Sequence, residues 1–183
     1  MQRTDGRQVN RTKLALRQAL LALIARKGYD RITVQELVER ADVGRATFYS
    51  HYADKDDVLR ENLTALGDHI RDQINKGAER GPLAFSLPLL RHVEEVQPMF
   101  TALLGAKGSP TVRQLFLDVL AGLIAEGLPD GAGDLPAPRS AVVGFLAAGF
   151  LAVARWWVVE APQQNAGEVH KIYLRLAAGG ITR

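Results

Sequence analysis

Apolar residues recur along the chain at helical spacing, and no segment alternates long enough to read as a strand. Leu16, Ala19, Leu20, Leu23 and Ile24 fall at i, i+3, i+4, i+7 and i+8, which predicts a first helix over about 10–27, stopped by Gly28. Thr33 followed by Glu36 is a capping box for a second helix, with Val34, Leu37, Val38 and Ala41 on its inner face. A third, very short helix starts at Gly44 and ends near His51, because "ADKDD" restarts a helix with Asp54 as N-cap. The fourth runs to about Lys76 on Leu59, Leu63, Leu66, Ile70 and Ile74. From Gly81 onward prolines 82, 88, 98 and 110 punctuate further helices. Ser109 and Pro110 mark one start, "LPDGAGDLPAP" at 128–138 reads as a loop, and two helices at about 138–160 and 165–178 close the chain. The pattern is all-α throughout.

Composition narrows the classes. The chain has 183 residues, enough for a sizeable core, and no cysteine, which removes thiolate chemistry, disulfides and cysteine zinc sites and fits a reducing cytoplasm. The start, "MQRTDGRQVNRTK", is polar and does not read as a secretion signal, so a cytoplasmic location is expected. The net charge is +3, unevenly placed: residues 1–60 hold 12 Lys+Arg and 8 Asp+Glu, whereas residues 61–183 hold 11 and 12. The positive first third hints at a polyanion partner.

The stretch "TVQELVERADVGRATFYSHYADKDDVL" gives that hint a shape. Two short helices joined by a tight turn form a helix-turn-helix. Leu37, Val38, Ala41, Val43 and Phe48 supply the packing between them, and Asp42 suits a left-handed turn position. Arg45, Thr47, Tyr49 and His51 are left on the outside or the rim. An arginine forks onto guanine in the major groove, while hydroxyl, phenol and imidazole groups reach phosphates. Lys55, in the first turn of the fourth helix, adds a cation.

"RQALLALIARKGYDRITVQELVERADVGRATFYSHYADKDDVL" closely resembles the N-terminal domain of the TetR/AcrR family of bacterial transcriptional regulators, over about residues 10–65. Beyond it, "GFLAAGFLAVARWWVVE" looks like the eighth helix of one subgroup of that family. The resemblance implies a three-helix helix-turn-helix domain at 1–53, with its motif at 33–52. A helical effector-binding and dimerisation domain would follow at 54–183. It implies a homodimeric, ligand-responsive repressor of double-stranded DNA that acts on a palindromic operator, with no cofactor and no catalytic residues. By position, Thr33, Arg45, Thr47, Tyr49, His51 and Lys55 match DNA-contacting places. The chain departs from the family where Gly44 stands for a common Ser, Ala46 for a common Gly and Val38 for a common Ala.

Other readings stay open at this point. One is an effector-independent DNA-binding regulator, and another a helical lipid-binding module. The histidines 69, 92 and 170 show no metal-ligand spacing, and no metal is expected. "AVVGFLAAGFLAVARWWVV" at 141–159 has the length of a membrane span, but Arg155 interrupts it and the expectation is a core and dimer helix, not a membrane. Phe85, Leu89, Met99, Phe100, Leu103, Phe116, Leu120, Phe145 and Trp156 exceed what dimer packing requires. They are expected to line a pocket for a hydrophobic effector, with Arg155, Tyr173 and His92 as its polar groups.

Overall fold

The computed structural model describes residues 2–105, 108–129, 135 and 137–179, and among these no strand occurs. The helices are α1 (Gln2–Lys27), α2 (Val34–Ala41), α3 (Arg45–Tyr49), α4 (Lys55–Lys76), α5 (Ser86–Glu95), α6 (Gln97–Leu104), α7 (Pro110–Gly127), α8 (Arg139–Glu160) and α9 (Ala166–Gly179), with a 3-10 turn at Tyr29–Arg31. The fold is all-α: a helix-turn-helix head of α1–α3, then a helical body, with α4 running between them.

Helix starts follow local chemistry. Thr33 caps α2 with the full reciprocal box: its hydroxyl accepts from the Glu36 N–H at 3.2 Å, and its own N–H donates to Glu36 Oε2 at 3.0 Å. Asp54 caps α4 by accepting from the Asp56 and Asp57 N–H groups at 2.8 and 3.0 Å. The start of α1 differs from the sequence reading, which placed it near Asn10; the helix begins at Gln2. The polar residues 2–9 carry no amphipathic signal, but adding turns to a packed helix is far easier than nucleating one.

One apolar core runs through the molecule. Leu16, Leu20 and Ile24 of α1 join Leu37 and Phe48 in the head, and the same cluster continues through Leu59, Leu63 and Ile70 of α4 to Phe85, Phe116, Phe150 and Trp157 in the body. α1 packs on α2, α4 and α6, so the head is seated on the body through a wide contact. Arg71 fastens α4 to α7: its guanidinium donates to both carboxylate oxygens of Glu126 at 2.8–3.1 Å and to Asp68 at 2.9 Å. α5 and α9 are locked by a buried pair, Ser86 and His170, 2.9 Å apart. The Ser86 hydroxyl gives its one proton to the Leu83 carbonyl at 2.7 Å, so the proton in the 2.9 Å contact belongs to His170 Nδ1.

α8 is long and apolar enough to cross a membrane, yet only 39% of its most apolar window is buried in the molecule. Ala141, Phe145, Ala148, Ala152, Arg155 and Val159 are exposed, alternating four and three residues apart along one face. The apolar residues of α9 turn mostly inward. Ala166, Val169 and Tyr173 are buried in this chain's own core, where the Tyr173 ring packs against Phe85 and Phe150. Leu176 remains outside at 43% exposure.

Candidate nucleic-acid interface and effector cavity

The head aims a five-residue helix outward. α2 ends at Ala41, and Asp42 enters the left-handed region at φ 53°, ψ 46°. The Val43 N–H then reaches back to the Val38 carbonyl at 3.0 Å and the Asp42 N–H to Glu39 at 3.3 Å, a Schellman closure. That closure sets the direction in which the chain leaves α2. Phe48, fully buried, anchors α3 from below, leaving Arg45, Ala46, Thr47, Tyr49 and Ser50 exposed. The Arg45 guanidinium lies 5.8 Å from the Tyr49 ring centre, so the two form a paired cationic and aromatic tip. Gly44 stands at the N-cap in extended backbone with no side-chain cap, and a Cβ there would meet Thr47 Oγ1 at an ordinary 3.6 Å.

The six residues expected at DNA do not share one situation. Arg45, Thr47 and Tyr49 are all exposed on α3, Arg45 and Tyr49 as neighbours one turn apart. His51 is half-buried on the rim, its ring 6.4 Å from that of Tyr52. Thr33 is exposed, but its hydroxyl also serves the cap of α2. Lys55 is turned inward. Its ammonium donates to the carbonyls of Tyr29 (3.1 Å) and Ile32 (2.9 Å) and sits 4.5 Å from the Tyr29 ring centre. The Tyr29 carbonyl already accepts the Ile32 N–H at 3.1 Å and takes the ammonium on its remaining lone pair, so the lysine closes the end of the 3-10 turn. Lys55 thus reads as an internal strut between the turn and α4.

The sequence reading missed the network behind this face. The Tyr29 hydroxyl donates to Asp56. The Tyr52 hydroxyl donates to Glu61 at 2.7 Å, and Lys13 reaches the same carboxylate at 3.2 Å. Burial and these carboxylates push both phenols well above their usual range. Burial works to raise Glu61, but the Tyr52 and Lys13 hydrogen bonds outweigh it and hold the carboxylate below its ordinary value. Lys27 holds Glu36 down to about 2, helped by the Thr33 N–H. Apart from the Thr33–Glu36 cap, none of these pairs has a local spacing that marks it in the sequence.

A cavity of about 400 Å³ lies where head meets body. Arg17 and Leu21 of α1 form one wall, and Leu59, Asn62, Leu63, Ala65, Leu66 and His69 of α4 a second. His92 and Glu95 of α5, Met99, Phe100 and Leu103 of α6, and Val112 and Phe116 of α7 complete it. The nine expected pocket residues separate accordingly. Met99, Phe100, Leu103 and Phe116 line this cavity. Phe85, Leu89 and Leu120 are instead packed solid in the core, Phe85 against Phe150 at 5.0 Å between ring centres. Phe145 is 63% exposed on the outer face of α8, and Trp156, half-buried about three turns further along, is also absent from the cavity wall. Sequence spacing reports which residues are apolar but not which side of a buried helix they occupy, and α8 is apolar all round. Of the three expected polar groups only His92 lines the cavity; Tyr173 donates to the Leu146 carbonyl at 3.0 Å and Arg155 faces outward. Burial lowers the His92 pKa, Glu95 opposes this and His69 adds to it. Among the described residues no group of three or more His, Asp or Glu side chains is arranged to hold a metal ion.

Known proteins share this architecture. The family model for bacterial regulatory proteins of the tetR family matches residues 16–61. A Bacillus subtilis (strain 168) protein described as an uncharacterized HTH-type transcriptional regulator, YxbF, is 35% identical over 82 residues, 44% of this chain. The matched stretch spans 21% of that relative, so the chain accounts for about a fifth of its length. The crystal structure of a TetR transcriptional regulator from Streptococcus agalactiae 2603V superposes with a TM-score of 0.71 at 26% identity, covering 97% of this chain and 99% of the other. FadR of Thermus thermophilus, a TetR-family transcriptional repressor in complex with lauroyl-CoA, superposes with a TM-score of 0.56 at 25% identity, covering 93% of this chain and 95% of the other. The likeness to the tetR family of bacterial regulatory proteins at residues 16–61 is thus accompanied by a similarity of fold that extends over nearly the whole chain.

Proposed function

We propose that the chain is a DNA-binding transcriptional regulator, a repressor that works as a homodimer and releases its operator when a small apolar molecule occupies the body. The observation that carries this reading is the presentation of Arg45, Thr47 and Tyr49 on α3, in front of a turn closed by Asp42. A five-residue helix offers few base contacts, so useful affinity needs two heads on two half-sites, about 34–36 Å apart. Residues 1–53 carry the contact and residues 54–183 the pairing and the response.

The exposed face of α8 supports the pairing. Its four-and-three spacing, with Phe145 among small residues, suits a seam with the same helix of a second copy, and Leu176 extends it. The cavity between head and body supports the response, as does the lauroyl-CoA complex of the Thermus thermophilus relative. A ligand acts only through different affinities for two head spacings, and a coupling of ~1–3 kcal/mol weakens the operator complex about 5- to 150-fold. Selection of bound genomic fragments followed by mobility shift tests the reading. The expected result is a salt-dependent complex on a palindromic site, lost on mutating either half. Absence of a shift on any selected fragment overturns it.

A further inference from the structure

We infer that the cavity at the head–body seam takes an amphipathic monocarboxylate, its carboxylate on Arg17 and its apolar body among Leu63, Met99, Phe100, Leu103 and Phe116. The inference rests on the ligand-responsive reading above and names the chemistry of that ligand.

Arg17 is half-buried in the cavity wall, and among the described residues its guanidinium has no hydrogen bond and no ion pair. A guanidinium against an apolar wall without an anion is unusual, since its fork of donors matches a carboxylate. The acid nearest in influence, Glu61, is already held by Lys13 and Tyr52 and leaves the Arg17 fork open. The α5 part of the wall disfavours an anion: Glu95 lines it, and burial lowers the pKa of its neighbour His92, with Glu95 opposing this and His69 adding to it. The polarity therefore orients the ligand, with the charged end toward α1 and an uncharged end toward α5. An amine meets Arg17 with the wrong sign, and an alcohol leaves the charge unmatched.

The site also carries a means of regulation. Arg17 sits one residue from Leu16, a fully buried anchor of the head, while Met99, Phe100, Leu103 and Phe116 belong to the body. A carboxylate on Arg17 with its tail among those residues pins the head in one position on the body.

Calorimetric titration of the DNA-free protein with decanoate, phenylbutyrate, decanol and decylamine tests the site directly. Decanoate is expected to bind roughly 10- to 100-fold more tightly than decanol, the worth of a hydrogen bond to a charged group. Arg17→Gln should bring decanoate to the affinity of decanol and leave decanol unchanged. Phenylbutyrate bound as tightly as decanoate assigns an aromatic acid, and weaker binding a straight-chain one; either supports the site. Decanol or decylamine binding as tightly as decanoate overturns it, as does decanoyl-CoA binding more tightly than decanoate, or no binding by any probe. The comparison among probes on the unaltered protein stands even if Arg17→Gln fails to fold. Mobility shift with decanoate is read separately: tight binding without release of DNA leaves the site standing and defeats the ligand-responsive reading.

Discussion

Replacing Lys55 by Met separates a strut from a DNA contact. The substitution keeps most of the aliphatic stem and removes the ammonium that bridges the Tyr29 and Ile32 carbonyls at 3.1 and 2.9 Å. Each hydrogen bond to a charged group contributes about 1.5–3 kcal/mol, and an ammonium over a phenol ring about 0.5–1 kcal/mol. Lys55 is only half-buried, so water takes over part of what the ammonium leaves. The expected loss is therefore about 2–4 kcal/mol, or roughly 5–15 °C in Tm for a chain of this size. Urea denaturation followed by circular dichroism measures it, and an unchanged m-value shows that only the folded state was affected. Lysine contacting phosphate gives a different signature: stability unchanged, and the slope of log affinity against log salt shallower by about one. An unaltered midpoint for Lys55→Met would refute the strut.

Four further outcomes are expected. Arg45→Ala should relax sequence preference and cost about 1–3 kcal/mol on the selected operator but little on random DNA, as read by mobility shift on both. Phe145→Glu or Leu176→Glu should yield folded monomers in sedimentation that bind the palindrome poorly; a wild-type monomer at micromolar concentration would remove the dimer. Gly44→Ser should raise stability by a few tenths of a kcal/mol, because the new hydroxyl caps α3 in space that is already open. Burial lowers the His170 pKa in the folded state, so between that value and the unfolded one, about 6.5, the unfolded chain binds more protons. Stability should then be fully present above about pH 6.5 and fall on acidification, with a shallower fall in His170→Asn, measured as urea midpoints across that range.

The sequence makes legible whatever depends on a few neighbouring residues. The Thr33–Glu36 box, the left-handed Asp42 and the Asp54 cap follow from side chains within four positions of the backbone groups they serve. Lys55 shows the limit: its partners are 26 and 23 residues away, and its position in the first turn of a helix is equally compatible with solvent. The pocket shows a second limit. Met99 of α6 and Phe116 of α7 line the cavity, while Leu89 of α5 and Leu120, one turn further along α7, fill solid core. Hydrophobicity is the same for both pairs, and only the way the helices pack in three dimensions distinguishes them. Arg17 is a charge within an apolar run, and nothing local marks it as a cavity wall, because the residues facing it begin at Leu59, about forty positions further along.

The unbroken core from Leu16 to Trp157 has a consequence for anyone who recombines such proteins. A head transplanted at residue 53 would bring α1 without the α4 and α6 surfaces that bury it, and the junction would cut through interlocked side chains. Working hybrids need the exchange to include Leu59, Leu63 and Phe100 with the head, or to match their shapes in the recipient. In evolutionary terms, specificity for DNA is free to drift at Arg45, Thr47 and Tyr49, whereas the seam constrains head and body to change together.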